Sequence, residues 1–131
     1  MRFLLALLLL PALALADEEV VSPEEFRDFA EGHTLYFEQG GETFGSETFE
    51  EDGVVRWRYR NGVCVDGAWR ARGAQICFLY EGQDEVLCWR MFRDSEGLLA
   101  RLLNGENPGM ELRITGRDKR PLLCGAPPVE L

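Results

Sequence analysis

The chain has 131 residues, of which 46% are hydrophobic and 28% charged, with a formal net charge of −9 and a single histidine, His33. That balance describes one folded globular domain, too short for several and too apolar for a disordered tail. One histidine and four cysteines argue against sites built on histidine clusters or sets of free thiols. The acidity argues against nucleic acid as a partner, because the arginines are interspersed among 23 acidic residues.

Residues 1–16 read as an export leader rather than as part of the fold. Met1-Arg2 gives a positive start, 3–10 is an unbroken apolar run, and Pro11 interrupts it. Ala14-Leu15-Ala16 then places small residues where a signal peptidase requires them. Cleavage is expected after Ala16, leaving 17–131 as one domain. The run is too short for a bilayer, which takes roughly 20 residues, and no cysteine follows the cleavage point to carry a lipid. No membrane anchor is expected in the mature chain, and the localisation expected is periplasmic or secreted. Loss of Arg2 makes the mature chain one charge more acidic, which suits solubility or attraction to a basic partner.

The mature chain opens with one short helix. Ser22 is placed as N-cap, Pro23 at the first helical position and Glu25 three residues after the cap, and Phe26, Phe29 and Ala30 recur at helical spacing as far as Gly32. Strand patterns follow over 34–38, 43–49, 54–59, 63–70, 75–80, 85–93, 98–103 and 110–115. Turn signals separate them at Gly40-Gly41, Asp52-Gly53, Asn61-Gly62, Arg72-Gly73, Glu81-Gly82, Glu96-Gly97 and Asn104-Gly105. The fold class expected is mainly β: a single antiparallel up-and-down meander of about eight strands, curled into a barrel or half-barrel.

Alternation assigns the faces. Val55, Trp57 and Tyr59 share one side of their strand and Ile76, Phe78 and Tyr80 one side of theirs, with Arg56, Arg58 and Gln75 opposite. The strand 86–92 carries apolar residues on both faces: Leu87, Trp89 and Met91 on one, Val86, Cys88 and Phe92 on the other. The second face is expected to lie under the helix or under the C-terminal tail Pro121-Leu122-Leu123-Cys124. Arginines beside tryptophans, as in Arg56-Trp57-Arg58, Trp69-Arg70 and Trp89-Arg90, are expected to form an outer ladder with Glu47 or Glu85.

Four cysteines in a short exported chain imply two disulfides. The segment 77–88 reads as a hairpin turning near Gly82-Gln83, which sets Cys77 opposite Cys88 and leaves Cys64 for Cys124. Cys64 with Cys77 and Cys88 with Cys124 is the alternative pairing. The spacings contain no C-x-x-C pair, so no metal site is expected.

The series Gly41-Glu42-Thr43-Phe44, Asp52-Gly53-Val54-Val55-Arg56-Trp57, Cys64 with Gly67-Ala68-Trp69, Ile76-Cys77-Phe78 and Cys88-Trp89 resembles a group of small exported bacterial proteins of unknown function. That group has a lipocalin-like or half-barrel β-meander. The resemblance spans roughly 26–103 and implies the fold; it brings no activity, cofactor or catalytic residue.

The residues themselves offer no catalytic constellation. His33 falls at the helix-to-strand junction, Ser22, Ser46 and Ser95 lack a nucleophile context, and no cofactor is expected. Glu47, Glu50, Glu51, Asp66, Asp84 and Glu85 include possible acid–base pairs only as any acidic chain does. Asp66 stands out among them because it precedes Gly67 within an otherwise apolar strand, and a carboxylate turned out at a β-bulge explains it equally well. The aromatics are the stronger lead: Trp57, Trp69, Phe78, Tyr80 and Trp89 are the candidate ligand-binding residues. Two functions are therefore expected. One is a non-enzymatic exported interaction module meeting an envelope protein, for which a basic one such as a lysozyme fits the charge. The alternative is a lipocalin-like carrier of a small apolar ligand.

Overall fold

The computed structural model describes Leu9 and residues 18–125. The expected leader, apart from Leu9, and the cleavage point after Ala16 lie outside those residues.

The elements are β1 (Glu19–Val21), α1 (Pro23–Ala30), β2 (His33–Gln39), β3 (Glu42–Phe49), β4 (Val54–Tyr59), β5 (Cys64–Arg72), β6 (Gln75–Tyr80), β7 (Leu87–Asp94), β8 (Gly97–Leu102) and β9 (Glu111–Asp118). Each of β2 to β9 pairs antiparallel with its neighbours in sequence, and β9 returns to pair with β2. The result is a closed, up-and-down barrel of eight strands with β1 added outside the count.

The sequence pattern contained no sign of β1. It pairs Glu19 to Val21 with Arg93 to Met91, while β6 pairs with Leu87 to Trp89. β6 and β1 thus share one edge of β7 end to end. Three residues are too few for alternation to register.

Inward faces follow period 2. β2 turns in Leu35 and Phe37, β4 Val55 and Trp57, β6 Ile76 and Phe78, and β8 Leu98, Ala100 and Leu102, and most of these are buried. Helix α1 begins as its sequence indicates: the Ser22 hydroxyl accepts from the Glu25 backbone N–H at 3.1 Å. Its apolar face, Phe26 and Ala30, is 1% and 0% exposed, because the helix lies across one end of the barrel. Phe26 meets Phe49 and Trp69 edge-on at 5.4 and 5.6 Å. From the solvent side of the helix, Arg27 places its guanidinium 4.6 Å from the Trp69 ring.

The helix therefore closes the barrel end and does not cover the outer face of β7, as one sequence expectation had it. Nor does the C-terminal tail. Residues 119–125 cross the outside of β2 to β4 instead: the Thr34 hydroxyl donates to Arg120 O at 2.7 Å and Arg58 Nε donates to Leu123 O at 2.9 Å. The outer face of β7 is occupied by the Cys88 disulfide and by Phe92, over which the Arg101 guanidinium sits at 4.5 Å.

Both disulfides are formed, Cys77–Cys88 across β6 and β7 and Cys64–Cys124 from β5 to the tail. Cys77 and Cys88 are directly opposed in the strand register, as a hairpin over that segment requires.

Candidate functional site: an apolar cavity with a buried carboxyl

Turns β2–β3, β4–β5, β6–β7 and β8–β9 lie at the end away from α1. That end is open. Between it and the helix is a cavity of about 650 Å³, in the size range of small-molecule sites. An eight-stranded barrel is wide enough inside either to fill with side chains or to hold one small ligand; this one keeps space.

The geometry of that space depends on two glycines of the inner wall. A Cβ on Gly45 would overlap the Trp57 indole, so the missing side chain lets that ring lie along β3. A Cβ on Gly67 would come within 2.7 Å of both Leu79 O and the Tyr80 ring. The pairing with β2 shifts register between Phe37 and Glu38, which leaves a bulge in β3 from Thr43 to Gly45, and Phe44, its extra residue, also lines the cavity.

From the floor upward the lining changes character. Phe26, Phe49 and Phe78 form the closed end. Trp57, packed 5.6 Å from Phe37 and 5.9 Å from Phe44, makes one wall with Trp89, Met91, Ala100 and Leu112 elsewhere around it. Gln39, Tyr59, Arg60, Asn61, Gln83 and Met110 make the rim.

Within the apolar wall is Glu47. It stands between Leu35 on β2 and Trp57 on β4 in register and is 3% exposed. The Tyr80 hydroxyl donates a hydrogen bond to Glu47 Oε2. Burial raises the Glu47 carboxyl from its ordinary 4.5 to about 8, with the Tyr80 hydrogen bond acting in the opposite direction. Burial and the adjoining carboxyl push the Tyr80 hydroxyl well above the ordinary phenol range, so it remains a donor.

Of the residues singled out from the sequence, Trp57, Phe78, Tyr80 and Trp89 line the cavity, on β4, β6 and β7. Trp69 does not. It is 6% exposed in the floor cluster, stacked on Phe78 at 6.1 Å and covered by the helix. Glu47 was placed on the outer ladder with the arginines, and that placement is corrected: it points inward, because Gly45, Glu47 and Phe49 share a face while Ser46 and Thr48 take the other. The same alternation was present in the sequence, but one carboxylate on an apolar face reads more easily as a surface residue. Glu85 lies outside the strands, and the outer partner of Arg56 is Asp66, 2.6 Å from its Nε. Asp66 also sits in uninterrupted register with Arg56, so its carboxylate faces out without a bulge.

His33 is at the start of β2, its Nδ1 3.0 Å from Glu31 O and away from the cavity lining. Among the described residues no three His, Cys, Asp or Glu side chains are grouped to hold a metal ion. In comparison with known proteins, no family model matches this chain, and neither a curated protein nor a solved structure matches it.

Proposed function

We propose that this protein is a carrier, holding one small, largely apolar molecule inside the barrel in the manner of a lipocalin, in an exported and oxidising compartment such as a periplasm or the extracellular space. The observation that carries this reading is the cavity itself: about 650 Å³ of space walled by aromatic and aliphatic side chains, closed by α1 and open at the opposite end. Filling such a space with side chains is the cheaper route to stability, since an apolar void forfeits contacts on its lining. A barrel that keeps the void, and uses glycines to hold aromatic rings against the wall, is organised for an occupant. The two disulfides support the compartment.

The test is a fluorescence titration with the neutral apolar probe N-phenyl-1-naphthylamine. One probe should bind per chain, and Ala100→Phe, which puts a ring into the cavity from β8, should abolish binding while the variant keeps its cooperative unfolding. Probe binding untouched by Ala100→Phe would overturn the reading.

A second reading, contact with an envelope protein through the outer wall, is favoured by one observation. Val54, Ala68 and Leu79 are opposed across β4, β5 and β6 on the outer face, and Val54 and Leu79 are each 44% exposed. Under that reading Leu79→Lys abolishes capture of the partner, and Ala100→Phe leaves it intact.

A further inference from the structure

We infer that the occupant is an apolar amine, a molecule whose hydrocarbon or aromatic body fills the cavity and whose one basic nitrogen reaches the Glu47 carboxyl. The inference rests on the carrier reading and narrows it to a ligand class.

Glu47 is an acid enclosed by neutral groups. Its cross-strand neighbours on the inner wall are Leu35 and Trp57, and β6 brings Tyr80 against it. Besides Glu47, the titratable residues lining the cavity among the described ones are Tyr59, Arg60 and Tyr80; β2, β3, β8, β9 and α1 contribute no other. Arg60 is exposed at the rim, and the ion pairs formed among the described residues lie elsewhere, on arginines of the outer face and the termini of strands. A carboxyl enclosed in this way is costly to ionise unless a cation joins it. The described residues supply none, and a ligand can.

The surroundings select the sign of that ligand. Tyr80 already donates to one carboxyl oxygen, which stabilises the anion and leaves the group able to accept from a second donor. The faces of Trp57 and Tyr80 carry the negative potential that attracts an ammonium group. A fatty acid reaching the same depth would set a second buried acid against Glu47, with no cation to let either ionise.

Proton balance gives the inference a signature. The empty site holds Glu47 protonated below about pH 8, so an incoming ammonium ion displaces that proton to solvent as the ion pair forms. Affinity for the amine then rises about tenfold per pH unit up to that point and levels beyond it, whereas affinity for a neutral ligand of the same length does not rise.

The experiment is displacement of N-phenyl-1-naphthylamine from the purified full chain by decylamine, 1-decanol and decanoate, at pH 6, 7 and 8. Salt at 0.3 M or above screens the acidic surface. Expected is a decylamine affinity at least tenfold above the other two at pH 8, falling as pH is lowered, with no preference remaining in Glu47→Gln while decanol still binds. Glu47→Met, of similar volume and without a polar group, is the second variant should Gln disturb folding. Decanol or decanoate binding as tightly as decylamine at pH 8 overturns the amine inference and leaves the carrier standing, as does a preference that survives at Glu47→Gln. A probe that fails to bind the wild-type chain overturns both.

Discussion

Tyr80 and Glu47, 33 residues apart in sequence, meet inside the barrel, the phenol donating to the acid. The pair is a polar contact in an apolar wall, and its cost appears as a dependence of stability on pH. The folded state holds the Glu47 proton to about pH 8, the unfolded chain only to about 4.5. Stability from this group is therefore complete below pH 4.5, falls at about 1.4 kcal/mol per pH unit as the pH rises, and levels off above 8. Glu47→Gln removes that slope. The variant should match wild type near pH 4 and exceed it by on the order of 3 kcal/mol at pH 7, as read by urea unfolding at several pH values. A difference that stays constant from pH 4 to pH 9 would refute the assignment.

Gly45→Ala tests the wall. The added methyl overlaps the Trp57 indole, and the ring can yield only toward the cavity or by straining β3. A loss of about 1–3 kcal/mol is expected, together with weaker probe binding and an altered tryptophan emission. Wild-type binding and stability in this variant would show that the indole does not lie where the structure has it.

Much of the barrel was legible because period 2 is local. Val55-Trp57-Tyr59 and Ile76-Phe78-Tyr80 announced their inner faces, and turns such as Asn61-Gly62 marked where strands end. Cys77 opposite Cys88 followed from hairpin symmetry. What escaped was what depends on position around the circumference. Trp69 and Trp57 have the same chemistry in the same alternation, yet one lies under Phe26 and the other beside open space, and only the placement of α1 distinguishes them. β1 was missed for its length, and the path of residues 119–125 because Thr34 and Arg58, which hold it, carry no signal of a distant partner.

Phe26→Ala removes the floor. The side chain is 1% exposed and packs against Phe49 and Trp69, so a loss of about 3–5 kcal/mol is expected. Amide exchange at Phe49 and Trp69 should quicken more than at β7. Uniform acceleration across all strands would mean that the helix is not an independent plug.

The disulfides should contribute unequally. Cys64–Cys124 spans 60 residues and Cys77–Cys88 spans 11, so loop-closure entropy assigns about 4 kcal/mol to the first and about 3 to the second. Paired serine substitutions, measured by chemical unfolding, should reproduce that order. The reverse order would show that the tail adds little constraint to the unfolded chain.

The longer disulfide also sets how the wall can move. From Cys64 the chain passes through β5, β6, β7, β8 and β9, and then crosses the remaining strands on the outside before Cys124 returns it to its start. The barrel is thus girdled by a covalent hoop. Its staves cannot spread along the β2–β9 seam without stretching that hoop, so under the carrier reading a guest would enter through the rim at Tyr59 and Gln83, and exchange would depend on the turns rather than on opening that seam.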